Sequence, residues 1–299
     1  MSKDTRQLSH SQNFLRNFKL VTRLIADSDI NSNDVVFEIG PGKGIITSQL
    51  AKKAARVIAI EYDKNLADKL KQSFVDYGNV EIIFGDFLKV KLPEQKNYKI
   101  FSNIPFNLTA DILNKLTLDV NPPQESYLIV QENAARKYAG GPYGEERLRS
   151  LILKPRFELI ITHQFRNIDF YPVPSVNIVM LKIKKRKQCL LNSNEMNIYM
   201  DFVAYAFSHQ GRNFKERMRR IFTNEQFRRQ ASEQKFDLSA RPGDLNFEQW
   251  LGLFKYFVKG VSGDKKALIH ESYSRLIRKQ SKLEKIHRTH NIKKERIRR

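Results

Sequence analysis

Short apolar runs recur along the first two thirds of the chain, and segments with helical spacing of apolar residues separate most of them. Runs rich in Val and Ile that end at Gly, Asp or Asn are typical of buried strands in a sheet. Strands that alternate with helices indicate an α/β fold, with helices on both faces of a parallel sheet. The pattern predicts seven strands, at residues 35–40, 57–61, 80–84, 98–102, 126–130, 157–163 and 178–183.

The pattern changes at the basic run Lys184–Lys187, after which apolar residues recur at helical spacing. We therefore predict an α/β domain at 1–187, a small all-α domain at 188–262 and a basic tail at 263–299. Residues 264–299 contain 13 Lys or Arg and 4 Asp or Glu, a net charge of +9. This composition is compatible with either a lone basic helix or a disordered arm.

The net charge of the chain indicates which class of molecule the protein binds. The chain has 53 Lys and Arg against 32 Asp and Glu, an excess of +21 over 299 residues. Such an excess favours a polyanionic partner, nucleic acid before an anionic membrane surface, and exposed aromatic rings can stack on unpaired bases.

Other features of the composition exclude several classes of protein. One cysteine, Cys189, allows no intramolecular disulfide. No apolar run approaches the ~18 residues of a membrane span, and the first ten residues lack the apolar core of a signal peptide. The six histidines have no metal-ligand spacing, so we expect no metal site. We expect a soluble cytoplasmic protein.

A glycine-rich turn, E-I-G-P-G-K-G at Glu38–Gly44, lies between the first predicted strand and a helix. Glycines there let the backbone approach a ligand closely, as at a nicotinamide-dinucleotide or an S-adenosylmethionine site. A carboxylate at Glu38 suits a sulfonium cation better than a pyrophosphate. The alternative is a buried acid that holds backbone amides of the loop.

Two more acids end the next two predicted strands. Glu61 occupies the position where a carboxylate binds both ribose hydroxyls in such folds, and ligands bind at the carboxyl ends of parallel strands. Asp86, in G-D-F, can accept a hydrogen bond from an adenine amino group. The alternative for each acid is a cap on the following helix.

The tetrapeptide N-I-P-F follows the fourth predicted strand, as Asn103, Ile104, Pro105 and Phe106. The amino group of adenine is a poor nucleophile because its lone pair is delocalised into the ring. Carbonyl oxygens of Asn103 and Ile104 can accept its hydrogens, with Pro105 keeping the turn rigid and Phe106 stacking on an extruded base. The alternative is a strand-ending Pro turn with a core Phe.

With these motifs the chain resembles the rRNA adenine N6-methyltransferases, and specifically the Erm methyltransferases of macrolide–lincosamide–streptogramin B resistance. The resemblance implies a Rossmann-like class I S-adenosylmethionine-dependent domain with a mixed seven-stranded sheet, followed by a small all-α domain. The motifs that carry the resemblance are S-Q-N-F-L (11–15), E-I-G-P-G-K-G (38–44), I-E-Y-D (60–63), G-D-F (85–87), N-I-P-F (103–106), V-Q-E-N-A-A-R-K (130–137) and F-Y-P-V-P-S-V-N (170–177).

The resemblance also assigns roles to individual residues, and Phe106 stands where many relatives have Tyr. Phe106 and Phe170 would flank the target base, and Asn103 would bind both the base and the cofactor. The other residues implied for the cofactor are Gln12, Asn13, Leu15, Gly40, Gly42, Glu61, Tyr62, Asp86 and Phe87.

RNA contact should use basic side chains, and a solvated face is the alternative for each. Family members act on one adenine of 23S rRNA, which implies 23S rRNA, protein-free or partly assembled, as the partner of a monomer. A basic tail would add salt-sensitive affinity that does not depend on sequence. The basic residues predicted to contact RNA are Arg136, Lys137, Arg212, Lys215 and Arg219.

Four functions remain open from the sequence. The first is 23S rRNA adenine N6-methylation, which V-Q-E-N-A-A-R-K (130–137) and the basic tail favour. The second is the housekeeping dimethylation of adenines near the 3′ end of small-subunit rRNA. The third is RNA binding on the same fold without chemistry, against which the intact N-I-P-F argues. The fourth, a nicotinamide dehydrogenase, explains neither N-I-P-F nor the net charge.

Overall fold

The strand segments of the sequence pair into one sheet. The computed structural model of the protein describes residues 13–93 and 97–280. The chain divides into two units, the first made of Met1–Ala139 and Arg156–Gln188 and the second of Gly140–Pro155 and Cys189–Arg299.

The first unit contains a seven-stranded sheet in the order β4-β3-β2-β5-β6-β9-β7. Strands β2 to β6 pair in parallel, whereas β9 is antiparallel to both of its neighbours, β6 and β7. The predicted mixed seven-stranded sheet is therefore confirmed. The strands are β2 (Val35–Ile39), β3 (Arg56–Glu61), β4 (Val80–Phe84), β5 (Lys99–Asn103), β6 (Glu125–Gln131), β7 (Phe157–Gln164) and β9 (Ile178–Lys185).

Two helices of this unit begin at polar side chains that bind the first free backbone amides. Asn17 caps the first helix through Leu20, and Asp63 caps the third through Leu66. The first helix buries Leu20 and Leu24 on one face, as helical spacing requires. The helices are α1 (Phe18–Ala26), α2 (Ile45–Leu50), α3 (Lys64–Ser73), α4 (Thr109–Leu118) and α5 (Glu132–Ala139).

A separate two-stranded sheet joins β1 (Phe14–Leu15) to β8 (Phe170–Tyr171). Leu15 lies opposite Phe170, and both side chains are buried in the core of the first unit. Tyr171, on the other face of β8, is 63% exposed. Because successive residues of a strand point to opposite faces, the short sheet ties the N-terminal segment down by one face and leaves the other open.

The second unit is helical and is built around aromatic side chains. Trp250 is fully buried and donates from Nε1 to the Pro242 backbone oxygen at 3.1 Å. Phe202 and Phe214 pack against its ring. The helices are α6 (Leu148–Leu153), α7 (Ser193–Ser208), α8 (Phe214–Met218), α9 (Asn224–Glu233), α10 (Phe247–Gly260) and α11 (Gly263–Ala267), and residues 272–280 are also helical.

Two segments belong to this helical unit although the apolar pattern did not place them in it. Gly140–Pro155 contains Glu146, a buried acid that forms an ion pair with Lys154 and whose backbone amide donates to the Gly243 oxygen at 2.9 Å. At the other end, Ile269 lies in the same apolar core, so the predicted tail packs against this unit at that residue and continues as a helix at 272–280. Residues 281–299 lie outside the described part of the chain. None of the described helices is both long and apolar enough to cross a membrane.

We expect Trp250→Ala to lower the free energy of unfolding by about 3–5 kcal/mol, since it leaves a large cavity at the centre of the second unit. Urea unfolding followed by circular dichroism measures the change. Trp250→Phe, which fills part of the space, serves as the control and should cost less. A loss for Trp250→Ala below about 1 kcal/mol would contradict the central place of this side chain.

Candidate active site

The loops that follow β2, β3, β4 and β5 lie at one edge of the sheet, because parallel strands end at the same side. Backbone hydrogen bonds connect these loops. The Gly40 amide donates to the Ile60 oxygen at 2.9 Å, and the Gly85 amide donates to the Glu61 oxygen at 2.8 Å. Motifs that are up to 65 residues apart in sequence are thereby brought to one edge of the sheet.

The glycine turn has a backbone conformation that residues other than glycine rarely adopt. Gly40, Gly42 and Gly44 have φ angles of +64°, +59° and +78°, in the left-handed region. A Cβ on Gly42 would lie 2.8 Å from the ring of Phe14, whereas a Cβ on Gly40 would meet no atom within 4 Å. The turn is therefore closed by Phe14 on one side and open above Gly40, where a ligand can reach the backbone.

Glu61 connects the turn to the end of β3. Its carboxylate is buried, with Oε2 accepting the Gly42 amide at 3.0 Å and Oε1 accepting the Asp63 amide at 2.9 Å. Asp63, and not Glu61, caps α3, which excludes the capping alternative for Glu61. Each carboxylate oxygen can accept a second hydrogen bond, so Glu61 can hold the turn and bind a hydroxyl group.

The predicted cofactor residues after Glu61 differ in their exposure. Tyr62 is 48% exposed, whereas Phe87 is buried with the Lys115 ammonium 5.4 Å from its ring centre. Asp86 accepts the Leu88 amide through Oδ1 at 2.9 Å and so holds its own turn. Residues 87–89 form a turn and not a helix, so the alternative of a helix cap is not confirmed for Asp86. Its side chain is 29% exposed, which leaves the carboxylate within reach of a ligand.

Glu38 is buried and accepts a hydrogen bond from the Thr47 hydroxyl at 2.6 Å. Burial, aided by the nearby charge of Glu61 and opposed by the hydrogen bond from the Thr47 hydroxyl, raises the pKa of this carboxyl from 4.5 to about 8. Glu38 binds a side chain of α2, and not the loop amides that the alternative had assigned to it.

Side chains fix the end of β5 before N-I-P-F begins. The Ser102 hydroxyl donates to the Ile39 oxygen at 2.6 Å and accepts the Ile39 amide at 3.3 Å, which joins the ends of β5 and β2. Nδ2 of Asn103 donates to the backbone oxygen of Asn13 at 2.7 Å. This bond orients the carboxamide, and Oδ1 has no hydrogen-bond partner among residues 13–93 and 97–280.

The rest of the tetrapeptide is held by its own turn. The Leu108 amide donates to the Pro105 oxygen at 3.0 Å, and the Thr109 hydroxyl donates to the Phe106 oxygen at 2.9 Å. The side chain of Ile104 is buried, while that of Phe106 is half-buried at the rim of the core. The turn therefore presents acceptor oxygens beside a partly exposed ring, the arrangement that a flat base with an amino group requires.

The N-terminal predictions have mixed outcomes. Gln12 lies outside the described residues. Asn13 binds Asn103 through its backbone oxygen, a contact that sequence reasoning did not identify. Leu15 is only 6% exposed and packs in the core, so its side chain does not reach the open side of the glycine turn.

Phe170 does not occupy the position expected of a ring beside a target base. It is fully buried, with its ring centre 5.4 Å from that of Phe165. Adjacent residues of β8 face opposite sides of the strand, and Phe170 is the one that points into the core. Its predicted contact with the target base stays a prediction. Tyr171 is the exposed aromatic of this strand, and it pairs with Phe14 beside the glycine turn.

The basic residues predicted for RNA lie in both units. Arg136 and Lys137 are exposed on α5, where Arg136 also forms a 2.6 Å ion pair with Glu132. Arg212 and Arg219 are exposed around α8, and Lys215 is half-buried there. Among residues 13–93 and 97–280, no group of three or more His, Cys, Asp or Glu side chains is placed to hold a metal ion.

One edge of this sheet carries a glycine turn, two acids at strand ends and N-I-P-F. This arrangement is that of a Rossmann-like S-adenosylmethionine-dependent methyltransferase. The model of the ribosomal RNA adenine dimethylase family matches residues 3–259. The chain belongs to the ribosomal RNA adenine dimethylase family, and it is accordingly an S-adenosylmethionine-dependent rRNA adenine N6-methyltransferase. When bound, S-adenosylmethionine would supply a methyl group carried on its sulfonium.

Individual relatives come from two branches. An rRNA adenine N-6-methyltransferase of Limosilactobacillus reuteri is 31% identical over 255 residues, 84% of this chain and 97% of that protein. A ribosomal RNA small subunit methyltransferase A of Levilactobacillus brevis is 30% identical over 226 residues, 72% of this chain and 75% of that protein. The crystal structure of the 23S rRNA methyltransferase ErmE superimposes with a TM-score of 0.77 at 26% identity, covering 83% of this chain and all of that one.

The raised pKa of Glu38 predicts a dependence of stability on pH. Between pH 4.5 and about 8 the unfolded chain loses this proton while the folded protein keeps it, so the contribution of Glu38 to stability falls as pH rises and levels off above about 8. Glu38→Gln removes this effect, and its stability relative to the wild type should increase by up to about 1.4 kcal/mol for each pH unit in that window.

Urea unfolding of both proteins at several pH values measures the difference. Asp76→Asn changes an exposed acid of the same unit and should show no such trend. A stability difference between Glu38→Gln and the wild type that stays constant with pH would contradict a carboxyl that is neutral at pH 7.

Proposed function

We propose that the protein transfers methyl groups to N6 of a specific adenine in 23S rRNA and so confers macrolide–lincosamide–streptogramin B resistance. The observation that carries this choice of target is the likeness to a 23S rRNA methyltransferase, which extends over the whole of that chain at a TM-score of 0.77. The geometry of N-I-P-F supports adenine N6 as the acceptor.

At the site, Asn103 Oδ1 and the Ile104 carbonyl accept the two hydrogens of the adenine amino group. This draws the nitrogen out of conjugation and directs its lone pair toward the methyl group. The Asn103–Asn13 bond aims the carboxamide before the base arrives, and Pro105 holds the turn, so little reorganisation is needed during transfer. Phe106 stacks on the base and faces the positive charge that develops on its nitrogen.

The remaining site residues hold the cofactor and close the pocket. Glu61 binds the ribose hydroxyls, and Asp86 accepts the adenine amino group of the cofactor beside the ring of Phe87. The backbone of Gly40 and Gly42 lies along the amino-acid part. The cofactor residues proposed from the resemblance alone are Gln12, Asn13, Leu15, Tyr62 and Asn103.

Tyr171 takes the role that was predicted for Phe170. Its ring is exposed, and its strand partner Phe14 lies against Gly42, so it is on the same side of the sheet edge as the cofactor turn. We propose that the target base is held between Phe106 and Tyr171. Stacking of this kind is worth about 1–3 kcal/mol per base.

RNA beyond the target base would contact basic side chains of both units. We propose residues 1–187 as the catalytic domain, 188–262 as the RNA-binding domain and 263–299 as a basic extension. The substrate is 23S rRNA that is protein-free or partly assembled, and the enzyme acts as a monomer in the cytoplasm. The basic contacts proposed are Arg136, Lys137, Arg212, Lys215 and Arg219.

The second candidate is the housekeeping methylation of small-subunit rRNA. The relative from Levilactobacillus brevis, which carries that name, favours it at 30% identity over 72% of this chain. Both candidates use the same chemistry at the same sheet edge. They differ only in the RNA that presents the adenine.

Single-turnover methylation with labelled S-adenosylmethionine separates the two candidates. Protein-free 23S rRNA and small ribosomal subunits are offered in separate reactions, and the modified nucleoside is identified by mass. We expect label in N6-methylated adenine of 23S rRNA alone, together with macrolide resistance when the protein is expressed in a susceptible bacterium.

Label in small-subunit RNA without resistance would move the protein to the housekeeping branch. Cofactor binding without label in either RNA would favour the third function, RNA binding without chemistry.

A further inference from the structure

The chain continues beyond the part that its family shares. The family model ends its match at residue 259, whereas the described structure continues to residue 280. In this addition α11 is followed by a turn and by the helical residues 272–280. Ile269 is 3% exposed in the core of the second unit, and Ser272 is 5% exposed. The addition is therefore folded onto the unit.

A single carboxylate holds the start of the last helix. Asp201, on α7, accepts the Glu271 amide through Oδ2 at 3.0 Å and the Tyr273 amide through Oδ1 at 2.9 Å. Glu271 has a φ of +58°, in the left-handed region, so the chain turns sharply at this point. An acid at a helix N-terminus binds otherwise free amides and is favoured by the helix dipole.

The helix that Asp201 holds is basic. Residues 272–280 contain Arg275, Arg278 and Lys279 and no acid, and residues 281–299 add 8 Lys or Arg against 2 Asp or Glu. All three basic side chains of the helix are exposed. Arg275 also donates to the His270 oxygen at 2.6 Å across the turn. Positive charge is thus concentrated downstream of a fixed docking point.

We propose that residues 263–280 form a second RNA-binding element, in which the exposed basic side chains of helix 272–280 contact the phosphate backbone of the substrate rRNA. The proposal rests on rRNA methylation but not on the choice between the two ribosomal RNAs, because backbone contacts carry no sequence information. RNA is favoured over an anionic membrane because the enzyme already acts on this polyanion. The two hydrogen bonds to Asp201 hold the basic helix in place for this contact.

Removal of Asp201 should change RNA affinity in opposite directions, depending on whether the tail acts through the position of its helix or through its charge alone. Asp201→Ala raises the net charge of the protein by one. If the tail acted only through its charge, RNA affinity would stay constant or increase. If docking positions the basic helix, affinity falls although the protein becomes more basic, because the helix no longer reaches the phosphates together with the rest of the surface.

The test measures the affinity of the full-length protein for protein-free 23S rRNA and small-subunit rRNA over a range of KCl concentrations. We expect Asp201→Ala to bind about 5–20-fold more weakly at low salt, with a log–log salt slope smaller by about 1–2. The KM for RNA should increase while kcat and cofactor affinity stay unchanged. Glu248→Ala, which removes an exposed acid of the same unit, should leave affinity unchanged or slightly higher.

A second variant covers the case in which Asp201→Ala destabilises the unit. Arg278→Gln with Lys279→Gln leaves Asp201 and the turn intact and should show the same loss of affinity and salt slope. Truncation after Gln280 should lower the slope further. Equal binding by these variants and the wild type on both RNAs would overturn the proposal, as would tail-dependent binding to phosphatidylglycerol vesicles with unchanged RNA affinity.

Methylation of the small-subunit RNA in place of 23S rRNA would alter the proposed function. It would leave this affinity test unaffected.

Discussion

The hydrogen bond from Nδ2 of Asn103 to the backbone oxygen of Asn13 determines which way the carboxamide faces at the sheet edge. The donor end is bound to protein, so the acceptor end is left for the substrate. The partner oxygen is itself held, because β1 begins at Phe14 and the Arg16 amide donates to the Asp169 oxygen at 3.0 Å. The burial of Leu15 and Phe170 anchors this short sheet. Core packing and catalytic orientation therefore depend on the same few residues.

Two buried acids, Glu38 and Glu61, lie near the glycine turn. Glu38 and Glu61 are both buried near the ends of neighbouring strands, and the pKa of Glu38, raised mainly by burial to about 8, leaves Glu38 neutral near pH 7. Glu61 compensates for its burial by accepting two backbone amides. Because Glu38 is neutral near pH 7, the two buried carboxyl groups do not repel each other as a pair of carboxylates would.

The sequence predicted the sheet well because each strand is a short apolar run that ends in a recognisable turn. Apolar residues at helical spacing after residue 187 likewise predicted the helices of that part of the chain, such as α10. Three features were missed for physical reasons. The F-Y pair at Phe170 and Tyr171 gave no sign of which ring faces the core. The grouping of Gly140–Pro155 with the helical unit depends on Glu146, whose partners are only visible in three dimensions. The backbone contact of Asn13 depends on no side-chain type at all.

The most direct test of the account is the single-turnover rate of Asn103→Ala at saturating cofactor and RNA. We expect a rate about 10²–10³-fold below the wild type, since an aimed acceptor is lost while the pocket remains, with RNA affinity within about threefold. Asn33→Ala, an exposed asparagine of the same unit, serves as the matched control and should retain the wild-type rate. A loss smaller than about tenfold, or one that comes from weaker RNA binding alone, would contradict an oriented Asn103 as the centre of the chemistry.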